Sequence, residues 1–415
     1  MGPARKPRVV YWQNIPTPNV IGRFNALVDR GNLDFEAWFN AEREPDRSWE
    51  VNPAEWRFRA RYIPARRLLG RRLHLPLVEL RQTRPDVLVS LYDRLSFALG
   101  SLAARSSAAR TAFRALPNYD SWSRRACWKE LAKHVLFRAV DGAKVPGPDG
   151  AHLARTYGLP RTRIAAVTQS IDVAHYGRAR DVDLSLRRQK RAQLGLHGCV
   201  FVYVGRLWAG KGLDYLFEAY RCVRERAPDT SLLLVGDGVD EDRYRALARD
   251  LPGIRFSGFV QPRDLPEYYA LGDVVVFPTL GDPHGLVIAE ALAAGLPVIC
   301  TEAAGDIRGR LPDGRAGYVV PPADAVTLAD RMLRLAADPA LRMRLAAEAP
   351  GLVMAQVHDR WASDFEAFVG HLLTLPPRRT PAALLAFVMG RCMLTAWARG
   401  AGSAAPYAQG RDGWP

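Results

Sequence analysis

Short apolar runs rich in β-branched residues recur along the second half of the chain, and each ends in a loop with glycine or proline. The predicted buried strands are Cys199–Val204, Ser231–Val235, Ile254–Gly258, Val274–Phe277 and Val298–Cys300. Helical periodicity follows two of these runs, over Leu213–Arg224 and from Leu286 to Ala293. This alternation predicts a parallel sheet with right-handed crossovers.

The first half of the chain repeats this pattern less regularly. Its predicted strands are Arg8–Trp12, Glu36–Asn40, Asp86–Tyr92, Ala143–Gly147 and Arg163–Asp172. A proline-containing loop follows the first of them, and a helix is expected from about Arg23. Val173–His197 is charged and irregular, which is typical of a connection between two domains.

Two segments of the first half interleave basic residues with aromatic and aliphatic ones, Trp56–Leu80 and Trp122–Val140. Each is expected to form an amphipathic helix that covers the sheet and leaves its basic face in solvent. Such a segment can also lie on an anionic membrane, because basic groups are attracted to the surface and apolar ones enter it. Both interpretations stay open at this point.

The charge distribution separates the two halves. Residues 1–165 contain 29 Lys and Arg against 15 Asp and Glu, whereas residues 166–415 contain 29 against 28. This excess predicts an anionic partner for the first half, either a membrane surface or an acidic saccharide. Nucleic acid is not expected, because no nucleic-acid-binding module is recognisable.

The composition is that of a soluble, two-domain protein, with 415 residues of which 48% are hydrophobic and 24% charged. The five cysteines show neither a CxxC motif nor metal-site spacing, so we expect reduced thiols and a cytoplasmic location. No secretory signal is apparent. The most apolar segment, Pro381–Ala398, is short and charged for a membrane span.

The most informative stretch joins the strand Val274–Phe277 to the helix from Leu286 through a loop of glycines and prolines. A helix N-terminus behind such a loop binds anions, because its first amides are unpaired and the helix dipole is positive there. Asp282 and Glu290 lie on either side of this helix start. The alternative is an ordinary strand–helix unit in which Glu290 is solvated.

Five sequence motifs in this half favour the anion site over an ordinary strand–helix unit. They are GRLWAGKGLDYLFEAY, LLLVGDGVD, IRFSGFV, DVVVFPTLGDPHGLVIAEALAAGLPVI and GYVVPPAD. Together they resemble the C-terminal half of family-four glycosyltransferases. The resemblance implies an α/β fold of the GT-B type, with two Rossmann-like, doubly wound parallel-sheet domains facing a cleft. The expected divisions are residues 1–172, a linker 173–197, a second domain 198–357, C-terminal helices 358–398 that return to the first domain, and a disordered tail 399–415.

The resemblance also assigns roles to the second domain. Arg206 and Lys211 match residues that contact the donor diphosphate, Glu290 matches one that binds ribose hydroxyls, and Asp282 stands where a glutamate usually touches the donor sugar. The other residues expected to bind the donor are Gly205, Gly236, Phe259, Val260, His284, Gly285, Leu286 and Val287. No metal and no separate cofactor are expected. The donor itself is expected to be a UDP- or GDP-linked sugar.

The acceptor is expected to bind the first domain, beside the loop with Pro18, Asn19 and Gly22. Relatives often carry a histidine or acidic residue after a later strand, where this chain has Asn118, Tyr119 and Asp120. Asp120 therefore joins Arg206, Lys211 and Asp282 as a catalytic candidate.

The expected function is that of a retaining glycosyltransferase for a saccharide or lipid-linked acceptor, at the cytoplasmic face of a membrane. The alternatives are a soluble enzyme for a small acceptor, such as a sugar phosphate, and a non-catalytic protein that binds nucleotide sugars. An NAD-dependent enzyme is disfavoured, because no GxGxxG motif follows the first strand.

Overall fold

The computed structural model describes residues 5–44, 48–68, 71–92, 95–116, 127–385 and 388. Its β-strands are β1 Arg8–Gln13, β2 Asp34–Phe39, β3 Arg59–Tyr62, β4 Ala65–Leu68, β5 Arg71–His74, β6 Val87–Ser90, β7 Arg110–Arg114, β8 Gly142–Val145, β9 Ile164–Ala166, β10 Cys199–Val204, β11 Thr230–Val235, β12 Ile254–Gly258, β13 Val274–Phe277, β14 Val298–Thr301 and β15 Gly317–Val320.

The α-helices of the same residues are α1 Pro18–Asp29, α2 Leu77–Thr83, α3 Leu95–Ser106, α4 Cys127–Ala139, α5 Pro148–Thr156, α6 Val173–Gly177, α7 Leu184–Gln193, α8 Leu213–Arg226, α9 Glu241–Ala248, α10 Leu265–Ala270, α11 Leu286–Ala293, α12 Ile307–Arg310, α13 Ala325–Ala337, α14 Pro339–Val353 and α15 His358–Thr374. None of the helices in these ranges is long and apolar enough to span a bilayer.

Two parallel sheets confirm the predicted fold class. The first has the strand order β3-β2-β1-β6-β7-β8-β9 and the second the order β12-β11-β10-β13-β14-β15. In each sheet the direction of strand progression reverses once, between β1 and β6 and between β10 and β13. Such a reversal opens a crevice at the carboxyl ends of the strands, which is where doubly wound sheets bind ligands.

Helix α15 packs on the first sheet, although it follows the second sheet in the chain. Trp361 and Phe365 of α15 contact Tyr11 of β1, and Trp361 also contacts Phe24 of α1. All four aromatic side chains are buried. This packing ties the chain's C-terminal part to the face of the first sheet that carries α1.

The two halves also contact each other through polar groups near the crevice. The side-chain Oε1 of Gln261 accepts a hydrogen bond from the backbone N of Glu50 at 3.1 Å. Asp149 and Asp306 cap each other, because each backbone N donates to the other carboxylate, at 2.7 and 3.1 Å. These contacts place the carboxyl ends of the two sheets opposite each other.

The predicted helix over Trp56–Leu80 is wrong except for residues 77–80, which belong to α2. Arg59–Tyr62 adds β3 to the edge of the first sheet, and Ala65–Leu68 and Arg71–His74 form the antiparallel pair β4–β5. The physical reason is the period of the sequence pattern: Arg57, Arg59 and Arg61 alternate with Phe58, Ala60 and Tyr62, which is the period of a strand, and Pro64 restricts helix formation. Of the other basic helix, residues 127–139 form α4, and residues 122–126 lie outside the described residues.

Two smaller expectations about the chain also need correction. Helix α1 begins at Pro18 and not near Arg23, because proline has a suitable φ for the first turn of a helix and needs no amide partner there. The connection 173–197 is mostly helical, since Asp172 and Asp183 accept hydrogen bonds from the first amides of α6 and α7. The predicted tail 399–415 and most of Pro381–Ala398 lie outside the described residues.

Candidate functional site

A cavity of about 560 Å³ opens at the carboxyl end of the second sheet, where the strand order reverses between β10 and β13. The loops after four strands and the start of α11 form its walls. Eleven of the twelve residues predicted to bind the donor line it: Gly205, Arg206, Lys211, Gly236, Phe259, Val260, Asp282, Gly285, Leu286, Val287 and Glu290. The structure therefore brings these residues together, and their individual roles stay predictions.

Glycines allow two of these loops to pack backbone against backbone. Gly236 has a φ of +136°, and a Cβ at this position would lie 2.1 Å from the carbonyl oxygen of Gly205. Only glycine fits such an approach. The loop after β11 can therefore lie directly against the loop after β10, which carries Arg206 into the cavity.

Lys211 and Asp282 form an ion pair at the floor of the cavity. The ammonium Nζ of Lys211 lies 2.6 Å from Oδ2 of Asp282, and both side chains are less than one-fifth exposed. Oδ1 of Asp282 accepts hydrogen bonds from the backbone amides of His284 and Gly285. Burial raises the pKa of Asp282, but Lys211 and these amides outweigh it and hold the pKa below its ordinary value.

The N-terminus of α11 faces the same space. Gly285 precedes the helix with a φ of +65°, a left-handed conformation that favours glycine. Leu286 and Val287 then supply first-turn amides, which a helix does not pair internally, and both residues line the cavity. Together with the helix dipole, these groups make a site for an anion.

Glu290 lies one turn further along α11 and is only 6% exposed. Tyr269 donates a hydrogen bond from Oη to Oε2 of Glu290 at 2.8 Å, and the Tyr176 hydroxyl also hydrogen-bonds to the carboxylate. Burial raises the pKa of Glu290 to about 7, although both tyrosines favour its charged form. The alternative of a solvated Glu290 is therefore wrong.

His284 is the one predicted donor-side residue that does not line the cavity. Its side chain is 3% exposed, and Nε2 lies 3.4 Å from Oε1 of Gln356. Burial, followed by the charge of Arg310, lowers the pKa of His284 well below its ordinary value. The imidazole is therefore neutral and packs between the donor loop and the segment before α15.

The predicted acceptor-side residues meet a second cavity, of about 780 Å³, between the two halves of the chain. Pro18, Asn19 and Gly22 of α1 line it from one side. His175 and Arg263 line it from the other side. The remaining acceptor-side candidates, Asn118, Tyr119 and Asp120, lie outside the described residues, so the catalytic assignment of Asp120 stays a prediction.

Sequence reasoning missed several residues at the 560 Å³ cavity of the second sheet, which we call the donor cavity after its predicted ligand. Tyr176 and Tyr269 hold Glu290, while Trp49 and Trp208 form part of the cavity wall. Trp208 stands between Arg206 and Lys211 in the chain, so its place in that motif was an available signal. The other three come from distant elements, and only the tertiary fold brings them to the site.

No three His, Cys, Asp or Glu side chains of the described ranges lie close enough together to hold a metal ion. The charged side chains that line the cavity are the cations Arg206 and Lys211, from the loop after β10, and the carboxylates of Asp237, Asp282 and Glu290.

Comparison with known proteins agrees with this geometry. Residues 198–338 match the family model of the Glycosyl transferases group 1. We call this matched part of the chain the group 1 domain. It contains the whole donor cavity wall except Trp49.

Among curated proteins, the chain is similar to alpha-D-kanosaminyltransferase of Streptomyces kanamyceticus, with 33% identity over 45% of this chain and 49% of the relative. It is also similar to D-inositol 3-phosphate glycosyltransferase of Corynebacterium efficiens, with 29% identity over 55% of each chain. The chain thus spans about half the length of these relatives.

Solved structures match over both domains. HepE of Anabaena, solved in complex with UDP, has a TM-score of 0.70 and 16% identity over 88% of this chain and 99% of that one. Sucrose-phosphate synthase of Thermosynechococcus elongatus has a TM-score of 0.70 and 19% identity over 89% and 99%. At these identities the likeness shows the fold, and the chain has the GT-B architecture around its group 1 domain.

Proposed function

We propose that this protein is a retaining glycosyltransferase. It would transfer a sugar from a UDP- or GDP-linked donor to a saccharide or lipid-linked acceptor in glycan biosynthesis. One observation carries the proposal: Arg206, Lys211 and the N-terminus of α11 line a single cavity whose inner wall holds the buried Glu290. That arrangement fits a pyrophosphate next to a ribose.

The first requirement of the reaction is stabilisation of the leaving group. When the bond between the sugar C1 and the diphosphate oxygen breaks, negative charge develops on the diphosphate. Fixed positive charge at that place lowers the barrier. Arg206 offers a planar fork for phosphate oxygens, Lys211 a mobile point charge, and α11 its first amides. These protein groups support a mechanism that does not depend on a metal ion.

Glu290 suits the ribose end of the donor. Its carboxylate is desolvated and accepts hydrogen bonds from Tyr269 and Tyr176, so it is oriented for two further hydroxyl donors. Asp282 lies nearer the start of the helix, where the donor sugar would sit. The Asp282 side chain is one methylene shorter than the glutamate of related motifs, so a donor hydroxyl would have to come closer to it.

Retention of the anomeric configuration requires the acceptor hydroxyl to attack C1 on the face from which the diphosphate leaves. The new C1–O bond forms as the old one breaks, and the acceptor proton moves to an oxygen of the departing diphosphate. No carboxylate nucleophile is needed in this scheme. The 780 Å³ cavity beside α1 gives the acceptor a place opposite the donor cavity.

The names of similar proteins support this class of reaction. Alpha-D-kanosaminyltransferase and D-inositol 3-phosphate glycosyltransferase both transfer sugars, and HepE was solved with UDP. The family model matches only residues 198–338, so the donor side is the better supported half of the proposal.

The cytoplasmic membrane face is the proposed place of action. Helix α4 supports it, because Leu131 and Val135 are one turn apart and 65% and 39% exposed beside basic residues. A soluble enzyme with a small acceptor is the second candidate. It is favoured by Arg59–Tyr62, Ala65–Leu68 and Arg71–His74, which form strands and not the amphipathic helix expected there.

Thermal unfolding with a panel of nucleotides and nucleotide sugars tests the donor. A true donor raises the unfolding temperature in proportion to its affinity and concentration. Incubation should then show transfer, or at least slow hydrolysis, of the bound sugar. Binding without any turnover would favour a non-catalytic protein that binds nucleotide sugars, and no binding at all would contradict the proposed function.

Sedimentation with anionic vesicles tests the membrane part of the proposal separately. We expect the protein to sediment with them and to be released by salt, since screening weakens attraction between basic groups and anionic lipid. Failure to sediment at low salt would leave the soluble enzyme as the better description.

A further inference from the structure

Three basic side chains meet at the carboxyl end of the first sheet. Arg114 is the last residue of β7, and Lys144, in β8, is its direct partner in the parallel register. Arg23 of α1 is the third, and its charge acts on both of the others. We call these three residues the basic cluster.

The basic cluster is unusually well buried. Arg23 is 4% exposed and Lys144 is 2% exposed, while Arg114 is half-buried at the end of its strand. Cations are rarely buried to this degree unless a carboxylate or another anion pairs with them.

No such partner is present within the part of the chain that the structure describes. Arg23 donates from Nε to the carbonyl oxygen of Asn19 at 2.9 Å and from Nη1 to Oε1 of Gln169. Nζ of Lys144 lies over two aromatic rings, 5.3 Å from that of Trp361 and 5.8 Å from that of Tyr11. Nε of Arg114 is buried and has no hydrogen-bond partner.

Other buried cations of the same half are paired. Arg105, 9% exposed, lies 2.9 Å from the carboxylate of Asp141, and Lys133, 8% exposed, lies 2.8 Å from that of Glu130. Burial in the first place, and then the neighbouring charges, lower the pKa of Arg23 to about 9 and that of Lys144 well below its ordinary value. The basic cluster is therefore held together against its own repulsion.

The position of the basic cluster relates it to the acceptor side. Asn19 and Gly22, on the same helix as Arg23, line the 780 Å³ cavity between the halves. The charge of Arg23 contributes to the lowered pKa of His284 in the donor loop and of His358 at the start of α15. An anion bound at the basic cluster would thus lie on the first-domain side of the crevice, opposite the donor loop.

We propose that the basic cluster is a subsite for an anionic group of the acceptor, a phosphate monoester or a comparable dianion. This inference rests on the proposed function and names its acceptor class. The guanidinium groups of Arg23 and Arg114 and the ammonium of Lys144 would share the oxygens of one phosphate. An anion of that charge offsets the repulsion that the empty site carries.

The test uses the full chain with two separate probes, UDP for the donor cavity and glucose 6-phosphate for the basic cluster, with glucose as the neutral control. Calorimetric titration gives affinities, and thermal unfolding gives stability. We expect Lys144→Gln and Arg114→Gln to weaken glucose 6-phosphate binding by about tenfold or more. UDP binding should change less than about twofold, because neither residue lines the donor cavity.

Stability provides an independent readout. Lys144→Gln should raise the unfolding temperature of the unliganded protein, since it removes a buried, repelled charge, whereas a cation with only a structural role would lower it on removal. The matched control is Arg57→Gln, which removes an exposed arginine of the same half that pairs with Asp29. It should change neither binding nor stability appreciably.

The possible results distinguish a failure of this inference from a failure of the proposed function. Equal affinity of the wild type and of both variants for glucose 6-phosphate, or no binding to the wild type while UDP binds, would overturn the inference alone. Loss of UDP binding would overturn the proposed function instead. Vesicles containing phosphatidic acid, used in place of the sugar phosphate, distinguish a lipid phosphate from a soluble one, and a dependence on Lys144 in either arm supports the subsite.

Discussion

The carboxyl ends of the two sheets present opposite electrostatic arrangements. In the group 1 domain, Lys211 is already neutralised by Asp282, and Glu290 is a buried acid held by two tyrosines. In the first domain, Arg23 and Lys144 are buried with no carboxylate in contact in the described residues. The carboxyl edge of a parallel sheet therefore carries a balanced site in one domain and an unbalanced one in the other.

Whether a carboxylate already pairs with the cations affects how each site would bind an anionic ligand. A pyrophosphate entering the donor cavity competes with Asp282 for Lys211 and for the amides before α11, so binding there is an exchange of one anion for another. At the basic cluster no carboxylate of the described residues has to be displaced. An anionic ligand would therefore pair with the three cations without that competition. The donor site is thus held in shape while empty, and the basic cluster is destabilised while empty.

Removing Lys211 gives the largest expected effect and separates the two arrangements directly. In Lys211→Ala the carboxylate of Asp282 stays largely buried without its cation, so we expect a loss of about 3 kcal/mol in the free energy of unfolding. Turnover should fall by about 10²–10³-fold, because one stabilising charge on the leaving group is lost. Urea unfolding and donor kinetics measure both.

Lys190→Ala is the matched control for this change. Lys190 pairs with Glu267 in the same half of the chain, but both side chains are at least one-third exposed and neither lines the donor cavity. Such a pair contributes less than about 1 kcal/mol. If Lys211→Ala stabilised the protein, as Lys144→Gln is expected to, the contrast between the two sites would be unfounded.

Glu290→Gln comes next. We expect nucleotide affinity to fall by about tenfold or more, because the charged acceptor for the ribose hydroxyls is lost while Tyr269 and Tyr176 keep a partner. The fold should persist, since glutamine has nearly the same shape. Unchanged affinity and full activity would contradict the assignment of Glu290 to the ribose.

The pH dependence of stability checks the state of Glu290 separately. The pKa of Glu290 in the folded state, about 7, lies above its ordinary value of 4.5. The favourable contribution of Glu290 to the free energy of unfolding is therefore complete below pH 4.5 and is lost as the pH rises to about 7. The stability of Glu290→Gln relative to the wild type should therefore increase over this window, by at most about 3 kcal/mol. A pH-independent difference would show that Glu290 is not a raised acid.

The sequence predicted which residues of the second half meet at one cavity, because these residues lie in contiguous motifs. Arg206 and Lys211 follow β10 within a few positions, and Asp282 lies in the loop after β13, eight residues before Glu290 of α11. Strand ends of a parallel sheet share one edge, so locating the strands was sufficient to bring these residues together.

The basic cluster could not be found in this way. Arg23, Arg114 and Lys144 come from a helix and two strands that are far apart in the chain, and each alone resembles an ordinary surface cation. The arginine-rich stretch near Arg59 shows the opposite error, since its composition suggested a helix while its two-residue alternation made a strand. Local composition does not reveal burial, and burial is what makes these cations unusual.

The variant Asp282→Asn tests whether the carboxylate of Asp282 contacts the donor sugar or only stabilises the loop before α11. Asparagine keeps an oxygen for the amides of His284 and Gly285 but releases Lys211. We expect the KM for the donor to stay equal or decrease, and kcat to fall by about tenfold if Asp282 contacts the donor sugar. An unchanged kcat would assign Asp282 a purely structural role. In that case Asp282→Glu should also leave kcat unchanged.

Tyr269→Phe should have the smallest effect, because it removes one hydrogen bond to a carboxylate that keeps Tyr176. The loss of that bond favours the neutral acid, so the pKa of Glu290 should rise further and nucleotide binding should require a higher pH, with a loss of about threefold near neutrality. Tyr220→Phe is the matched control: it removes a similar buried bond, from the hydroxyl of Tyr220 to the carbonyl of Thr230 at 3.0 Å, away from the cavity. Both variants should lose about 1 kcal/mol of stability, and only Tyr269→Phe should shift the pH profile of binding. Equal profiles in the two would mean that Tyr269 supports the fold and not the charge state of Glu290.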